Sequence, residues 1–240
     1  MAERRAIAAP GDGRPADVID LLEAARDPES GEGLSPHEIR DQVATLLGAG
    51  FETTARALFW TCYLLALYPA HQERVAAEVR LHLAGAAPTA QVLEDMPLLR
   101  ATLLEAMRLY PPAAIVSRQA TQAMTIDGHD VPKGAFLSVA PWILHRHRLH
   151  WQQPGAFRPA RFVGREREIL QGGAYIPFGA GPRVCLGAVF ATTEALVVLA
   201  GLLGRERIVL ADARPVQPVA MITTVPSVEP RFRLEARSPA

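Results

Sequence analysis

The apolar positions divide the chain into a helical first half and a mixed second half. Val18, Leu21, Leu22 and Ala25 share one face of a short helix predicted over residues 18–26. A polar loop at 27–33 leads to a well-marked helix start. Ser35 can cap, Pro36 takes the first helical position, and Glu38 completes a capping box. Helical apolar spacing then runs from Ile39 to Leu67 and stops at Pro69, which predicts a helix of about thirty residues. Further helices are predicted over 69–83 and 95–110. The second of these carries Leu99, Leu103, Ala106 and Tyr110 on one stripe before Pro111-Pro112 ends it.

The periodicity then changes. Residues 124–126 and 135–139 read as short strands around turns such as Asp127-Gly128. Residues 141–184 are rich in Pro, Gly, Arg and aromatic side chains, an irregular stretch of a length usually reserved for function. A helix is expected to open at Cys185 and run to about Leu203, followed by strands at 208–210, 220–224 and 232–235. The expected class is mainly α with small β-sheets. Residues 1–16 read as a frayed N-terminal segment and 17–240 as the folded portion.

Composition narrows the chemistry. With 240 residues, 49% hydrophobic and 21% charged, the chain can bury a core and is not disordered. Its 25 basic and 25 acidic side chains balance, so no electrostatic footprint for nucleic acid exists. Lys133 is the single lysine and sits in the turn-like Pro132-Lys133-Gly134, which argues against an amine nucleophile. Cys62 and Cys185 cannot make a disulfide scaffold, and residues 1–10 lack the apolar core of a signal peptide. A cytoplasmic setting is therefore expected. No membrane span is expected either. The apolar stretch at 57–68 stops too soon at Pro69, and the one at 186–203 carries Glu194 at its middle.

Four constellations carry candidate chemistry. The first is Phe178-Gly179-Ala180-Gly181-Pro182-Arg183-Val184-Cys185-Leu186-Gly187. Its glycine spacing fails the dinucleotide-binding pattern, and no lysine follows for a phosphate loop. A cysteine at a helix start, where free N–H groups favour a thiolate, suits a metal ligand, and flanking glycines let a flat ligand approach. A plain buried cysteine is the ordinary alternative for a cysteine alone. The second is Ala49-Gly50-Phe51-Glu52-Thr53-Thr54, within the long helix. Close helix packing would explain the glycines, but a carboxylate beside a hydroxyl in an apolar helix is costly to bury without purpose. The third is Glu105-Ala106-Met107-Arg108, whose i, i+3 spacing usually means a surface ion pair. The fourth is Val116-Ser117-Arg118, ordinarily an exposed arginine. The stretch His145-Arg146-His147-Arg148-Leu149-His150 contains no carboxylate and reads as a solvated turn rather than a metal site.

The cysteine string resembles the haem-binding loop of the cytochrome P-450 haem-thiolate monooxygenases at every fixed position. The other constellations are similar to that family's distal-helix motif, its Glu-x-x-Arg helix and the segments that follow, in family order. The resemblance implies the C-terminal part of the cytochrome P-450 fold, from the distal helix through the proximal helix and terminal strands. It implies haem b (iron protoporphyrin IX), with Cys185 as the axial iron ligand. Arg183 and Arg118 would meet the propionates, Phe178 would pack near the sulfur, and Gly179, Gly181 and Gly187 would shape the loop. Glu52 and Thr53 would be the acid–alcohol pair that handles protons during dioxygen activation, with Gly50 leaving space beside them. Glu105, Arg108 and Arg161 would form a structural lock, the last residue coming from Phe157-Arg158-Pro159-Ala160-Arg161-Phe162.

The implied reaction is hydroxylation of a small apolar organic substrate, with Phe51, Ala113, Ile115, Met221 and Ile222 as candidate pocket wall. Electrons would come from a ferredoxin- or flavodoxin-type donor, since the chain shows no flavin, nicotinamide or iron–sulfur motif. A haem-thiolate isomerase or peroxygenase and a non-catalytic haem-binding remnant are the alternatives; the Glu52-Thr53 pair favours oxygen activation. Family members are much longer, so the resemblance implies a C-terminal portion whose N-terminal half is missing.

Overall fold

The computed structural model describes residues 16–212 and 214–237, so most of the segment expected to be frayed, 1–15, lies outside the described residues. The chain divides into two compact units, residues 1–50 and 51–240, with the boundary inside the longest helix.

In the first unit, helix α1 (Val18–Ala24) is capped by Asp17, which accepts from the Ile19 and Asp20 amides. Helix α2 (Pro36–Leu67) begins there, where the Ser35 amide donates to Glu38 at 2.8 Å and the Glu38 amide returns a bond to Ser35 Oγ. This reciprocal pair satisfies two N–H groups that no preceding turn can serve.

The second unit holds the remainder of α2, then α3 (Pro69–Leu83), a short α4 (Ala90–Leu93) and α5 (Pro97–Leu109). Proline at the first position starts both α3 and α5, because its missing N–H is one the first turn leaves unbonded anyway. Helix α5 has no local side-chain cap. Glu78 of α3 supplies one instead, accepting from the Leu98 and Leu99 amides at 2.9 and 2.8 Å. A carboxylate there also meets the positive end of the helix dipole.

Four antiparallel pairs follow: β1 (Val116–Gln119) with β4 (Phe136–Val139), β2 (Met124–Ile126) with β3 (His129–Val131), β5 (Glu206–Leu210) with β8 (Phe232–Ala236), and β6 (Pro218–Ala220) with β7 (Thr224–Pro226). Between β4 and β5 lie α6 (Pro141–Leu144), α7 (Glu166–Gln171) and α8 (Ala188–Arg205).

The core forms where α3, α5 and α8 meet. Val75, Val79, Leu99, Leu103, Leu196, Leu199 and Leu203 are all buried there. Helix α8 is long and apolar enough to cross a membrane by length and composition. Its Thr192, Ala195, Leu196, Leu199, Ala200 and Leu203 face are buried in protein. Gln72 joins α3 to β5: it donates to the Leu65 and Ile208 carbonyls and accepts from the Ile208 amide at 2.8 Å. A buried amide is tolerated because its donors and acceptor are used.

Three expectations change here. The stretch 141–184 is not wholly irregular, since it contains α6, α7 and a 3₁₀ turn at Pro159–Arg161. The expected strand at 220–224 is a hairpin, because the chain turns at Met221–Thr223, where the Met221 amide donates to the Thr223 carbonyl. The stretch 145–150 is only partly solvated. His145 is fully buried and accepts from the Ile176 amide at 2.9 Å. Arg146 donates to the Leu109 carbonyl and lies 3.5 Å over the Trp142 ring.

Candidate haem-binding site

The cysteine loop is built from turns that only small residues permit. Gly179 and Gly181 both adopt φ of +75°, the left-handed region where a Cβ is strained. Their freedom lets the chain fold back, so that the Cys185 amide donates to the Phe178 carbonyl at 2.9 Å. A 3₁₀ turn at Gly181–Arg183 fills the interval, closed by the Val184 amide on the Gly181 carbonyl. Phe178 packs against the main core and so anchors the near side of the loop.

Cys185 does not open the helix, contrary to expectation. Helix α8 begins at Ala188 with Gly187 as its cap, and Cys185 sits in the preceding turn. The backbone is extended at Val184 (ψ 148°), and the Cys185 carbonyl accepts from the Ala188 amide at 3.4 Å. Its side chain is exposed. A Cβ added at Gly187 would stand 3.9 Å from Cys185 Sγ, so glycine keeps that side of the sulfur uncrowded. The surroundings are apolar and uncovered: Leu186 is 91% exposed, and Val184, Val189 and Phe190 are exposed as well. The second cysteine differs in every respect. Cys62 is packed against the core, and burial pushes its thiol up to about 12.

The two arginines expected near propionates are both exposed. Arg183 lies in the 3₁₀ turn of the cysteine loop, and Arg118 lies on β1, donating to the Ser117 carbonyl at 2.9 Å. Among the described residues neither makes an ion pair with a carboxylate, although the chain carries as many acids as bases.

On α2, Glu52 and Thr53 are both half-buried. Glu52 Oε1 accepts from Thr223 Oγ1 at 2.7 Å, and Arg56 Nη2 lies 3.5 Å away one turn later. A Cβ built at Gly48 or Gly50 meets no described atom within 4 Å. The candidate wall residues Phe51, Ile115, Met221 and Ile222 are all exposed, Phe51 by 83% and Ile222 by 92%, while Ala113 is half-buried.

Glu105, Arg108 and Arg161 come together. Arg108 Nε and Nη2 donate to Glu105 at 2.7 and 2.9 Å, and Arg161 Nε lies 3.1 Å from the same carboxylate. Arg108 and Glu105 are fully buried, which removes the surface-pair reading. Sequence reasoning missed Thr223, His145 and Gln72. Thr223 carries no local signal, being 171 residues from its partner, whereas Arg56 was discoverable from its i+4 spacing to Glu52.

A family model described as cytochrome P450 matches residues 1–227. The chain belongs to the cytochrome P450 family. Among curated relatives, cyclooctatin synthase of Streptomyces melanosporofaciens is 39% identical over 196 residues, covering 82% of this chain and 43% of the relative. Pentalenene oxygenase of Streptomyces avermitilis is 34% identical over 223 residues, covering 93% and 49%. The crystal structure of the cytochrome P450DA heme domain superposes with a TM-score of 0.88 at 33% identity, over 99% of this chain and 52% of that one. This P450 chain therefore has the P450 fold over its own length and spans less than half of those two curated relatives.

The family's cofactor is a haem iron. The residues present suit one. A porphyrin brings four nitrogens of its own, so a single soft sulfur donor suffices to complete the attachment. Cys185 offers that donor, uncrowded on the Gly187 side, among exposed apolar side chains that match the flat face of a macrocycle. Arg118 and Arg183 offer charge without a carboxylate partner among the described residues.

Proposed function

We propose that this chain is the haem-ligating, proton-handling portion of a P450 monooxygenase that hydroxylates an apolar, terpene-like substrate. The observation that carries the reading is the cysteine loop. Two left-handed glycines and the Cys185-to-Phe178 backbone bond present one exposed sulfur in an apolar setting. A bound haem b would supply reductive dioxygen activation, with the thiolate of Cys185 favouring O–O cleavage. Arg183 and Arg118 would hold its carboxylates.

The remaining work falls to the chain itself. Glu52 carries a carboxylate with one oxygen held by Thr223, and Thr53 places a hydroxyl beside it in sequence; together they would move protons to the reacting oxygen. Phe51, Ile115, Met221 and Ile222 would contact substrate and exclude water, since each is a large apolar side chain left exposed by the described residues. Two of the relatives bear the names pentalenene oxygenase and cyclooctat-9-en-7-ol 5-monooxygenase, which favours a compact hydrocarbon skeleton. Glu105, Arg108 and Arg161 would act as a structural lock, holding the 145–161 coil to α5 so that the cysteine loop is correctly placed.

Electrons would come from a separate ferredoxin- or flavodoxin-type protein. The test is to supply the intact haem-loaded protein with a surrogate ferredoxin, its reductase, labelled dioxygen and a panel of sesquiterpene and diterpene hydrocarbons. The reading expects a product that gains one labelled oxygen atom. Tight haem binding with no oxygenated product across the panel would instead favour a non-catalytic haem-binding portion.

A further inference from the structure

We propose that Thr223 is the positioning residue for Glu52, tying the proton-handling carboxylate to the same hairpin tip that presents Met221 and Ile222 to substrate. The inference rests on the reading of Glu52 as a proton-handling group and assigns the part that holds it.

Glu52 needs holding. Its side chain is 42% exposed, and a glutamate on an open helix face loses rotamer freedom only if something restrains it. Arg56 is a poor restraint, because its Nη2 is 3.5 Å from the carboxylate, at the limit of a hydrogen bond. Thr223 Oγ1 donates to the same Oε1 at 2.7 Å, a charge-assisted bond. Among the described residues none bonds the second oxygen, Oε2, which is left to exchange protons with water.

Thr223 is held through its neighbour Thr224, which is bonded in three directions. Thr223 is 4% exposed and is the last residue of the turn, directly before the return strand Thr224–Pro226. The next residue, Thr224, donates its amide to the Pro112 carbonyl at 2.9 Å and its hydroxyl to Pro111 at 2.6 Å. The buried Trp60 of α2 donates to the Thr224 carbonyl at 2.9 Å. The hydroxyl that reaches Glu52 therefore projects from a rigid point. The preceding residues, Met221 and Ile222, are exposed apolar side chains on the same turn. A ligand that presses on them acts one or two residues away from the carboxylate's anchor.

The test compares Thr223→Val, which keeps the shape and removes the donor, with Thr223→Ser, which keeps the donor. Thermal unfolding of the intact protein is measured for each variant, alone and on a Glu52→Gln background. Loss of a hydrogen bond to a charged group lowers Tm by about 5 °C in a protein of this size. The inference expects that loss for Thr223→Val, near-complete rescue by Thr223→Ser, and about half of the loss on the Glu52→Gln background, whose neutral amide oxygen accepts more weakly.

The second readout is the solvent deuterium isotope effect on reductant consumption by the haem-loaded protein with a surrogate ferredoxin and no organic substrate. Thr223→Val should slow consumption about tenfold and raise the isotope effect, with serine restoring both. Equal Tm losses on both backgrounds, or consumption that responds to Glu52→Gln and not to Thr223→Val, would overturn the positioning role while leaving Glu52's own role standing. Consumption insensitive to Glu52→Gln would overturn the proton-handling reading and leave the bond as a fold contact only.

Discussion

Glu105 and Arg108 form a buried pair in which every guanidinium hydrogen is used. Two bonds go to Glu105, two to the His145 and Pro154 carbonyls at 2.8 Å, and one to the Ala156 carbonyl at 3.1 Å. Glu105 in turn accepts from the Arg158 amide at 2.7 Å and from Arg161. One ion pair on α5 thus fixes three carbonyls and an amide of the coil that follows α6.

Removing one member should cost more than an ordinary ion pair. Glu105→Gln leaves a buried guanidinium short of its counter-charge, and a loss of about 3–5 kcal/mol is expected. Arg108→Lys should do the same, because an ammonium cannot reach five acceptors in a planar fork. Arg161 is slightly exposed and contributes one side of the cluster, so Arg161→Ala should cost less than either. Urea denaturation of the three variants checks the order.

Gln72 offers a second, independent prediction. Gln72→Leu fills the space but leaves the Ile208 amide and the Leu65 and Ile208 carbonyls without their partner. A loss of about 3 kcal/mol is expected from these unsatisfied groups. Amide hydrogen exchange at Ile208 should accelerate in step with it, while exchange in β6 and β7 stays unchanged.

These two clusters mark how much of the molecule its sequence discloses. Helices α2, α3 and α5 are legible because local punctuation decides them: Ser35, Pro36 and Glu38 start one, Pro69 ends it, and Pro111-Pro112 ends another. The cysteine loop is legible because its glycines, arginine and cysteine are contiguous. The partners of Gln72 and Glu52 are not, since Ile208 and Thr223 lie 136 and 171 residues away and carry no distinguishing pattern. The burial of His145 is not legible for a related reason. Its neighbours Arg148, Leu149 and His150 are exposed, and only the arrival of Ile176 buries it.

Stability should fall on mild acidification, and two histidines give the sign. Burial, reinforced by Arg108, pulls His145 down to about 3; burial, reinforced by Arg74, pulls His71 down to about 4. Both stay neutral when folded and take a proton when unfolded below about 6.5. The unfolded state therefore binds more protons, and stability present above pH 6.5 is lost as the pH falls toward 4 and then 3. Each group adds at most about 1.4 kcal/mol per pH unit to the slope. His145→Gln keeps an acceptor for the Ile176 amide and removes the titration, so its stability should decline less steeply between pH 6.5 and 4 than that of the wild type.

We propose Cys185 as the protein's ligand to a haem iron. The most direct measurement is the absorption of the reduced, carbon monoxide-bound protein, in wild type and in Cys185→Ser. Thiolate ligation predicts a strongly red-shifted Soret band in the wild type and its loss in the variant, with folding retained because the side chain is exposed. A red-shifted band that survives in Cys185→Ser, or a wild-type haem complex that never shows it, would contradict the assignment.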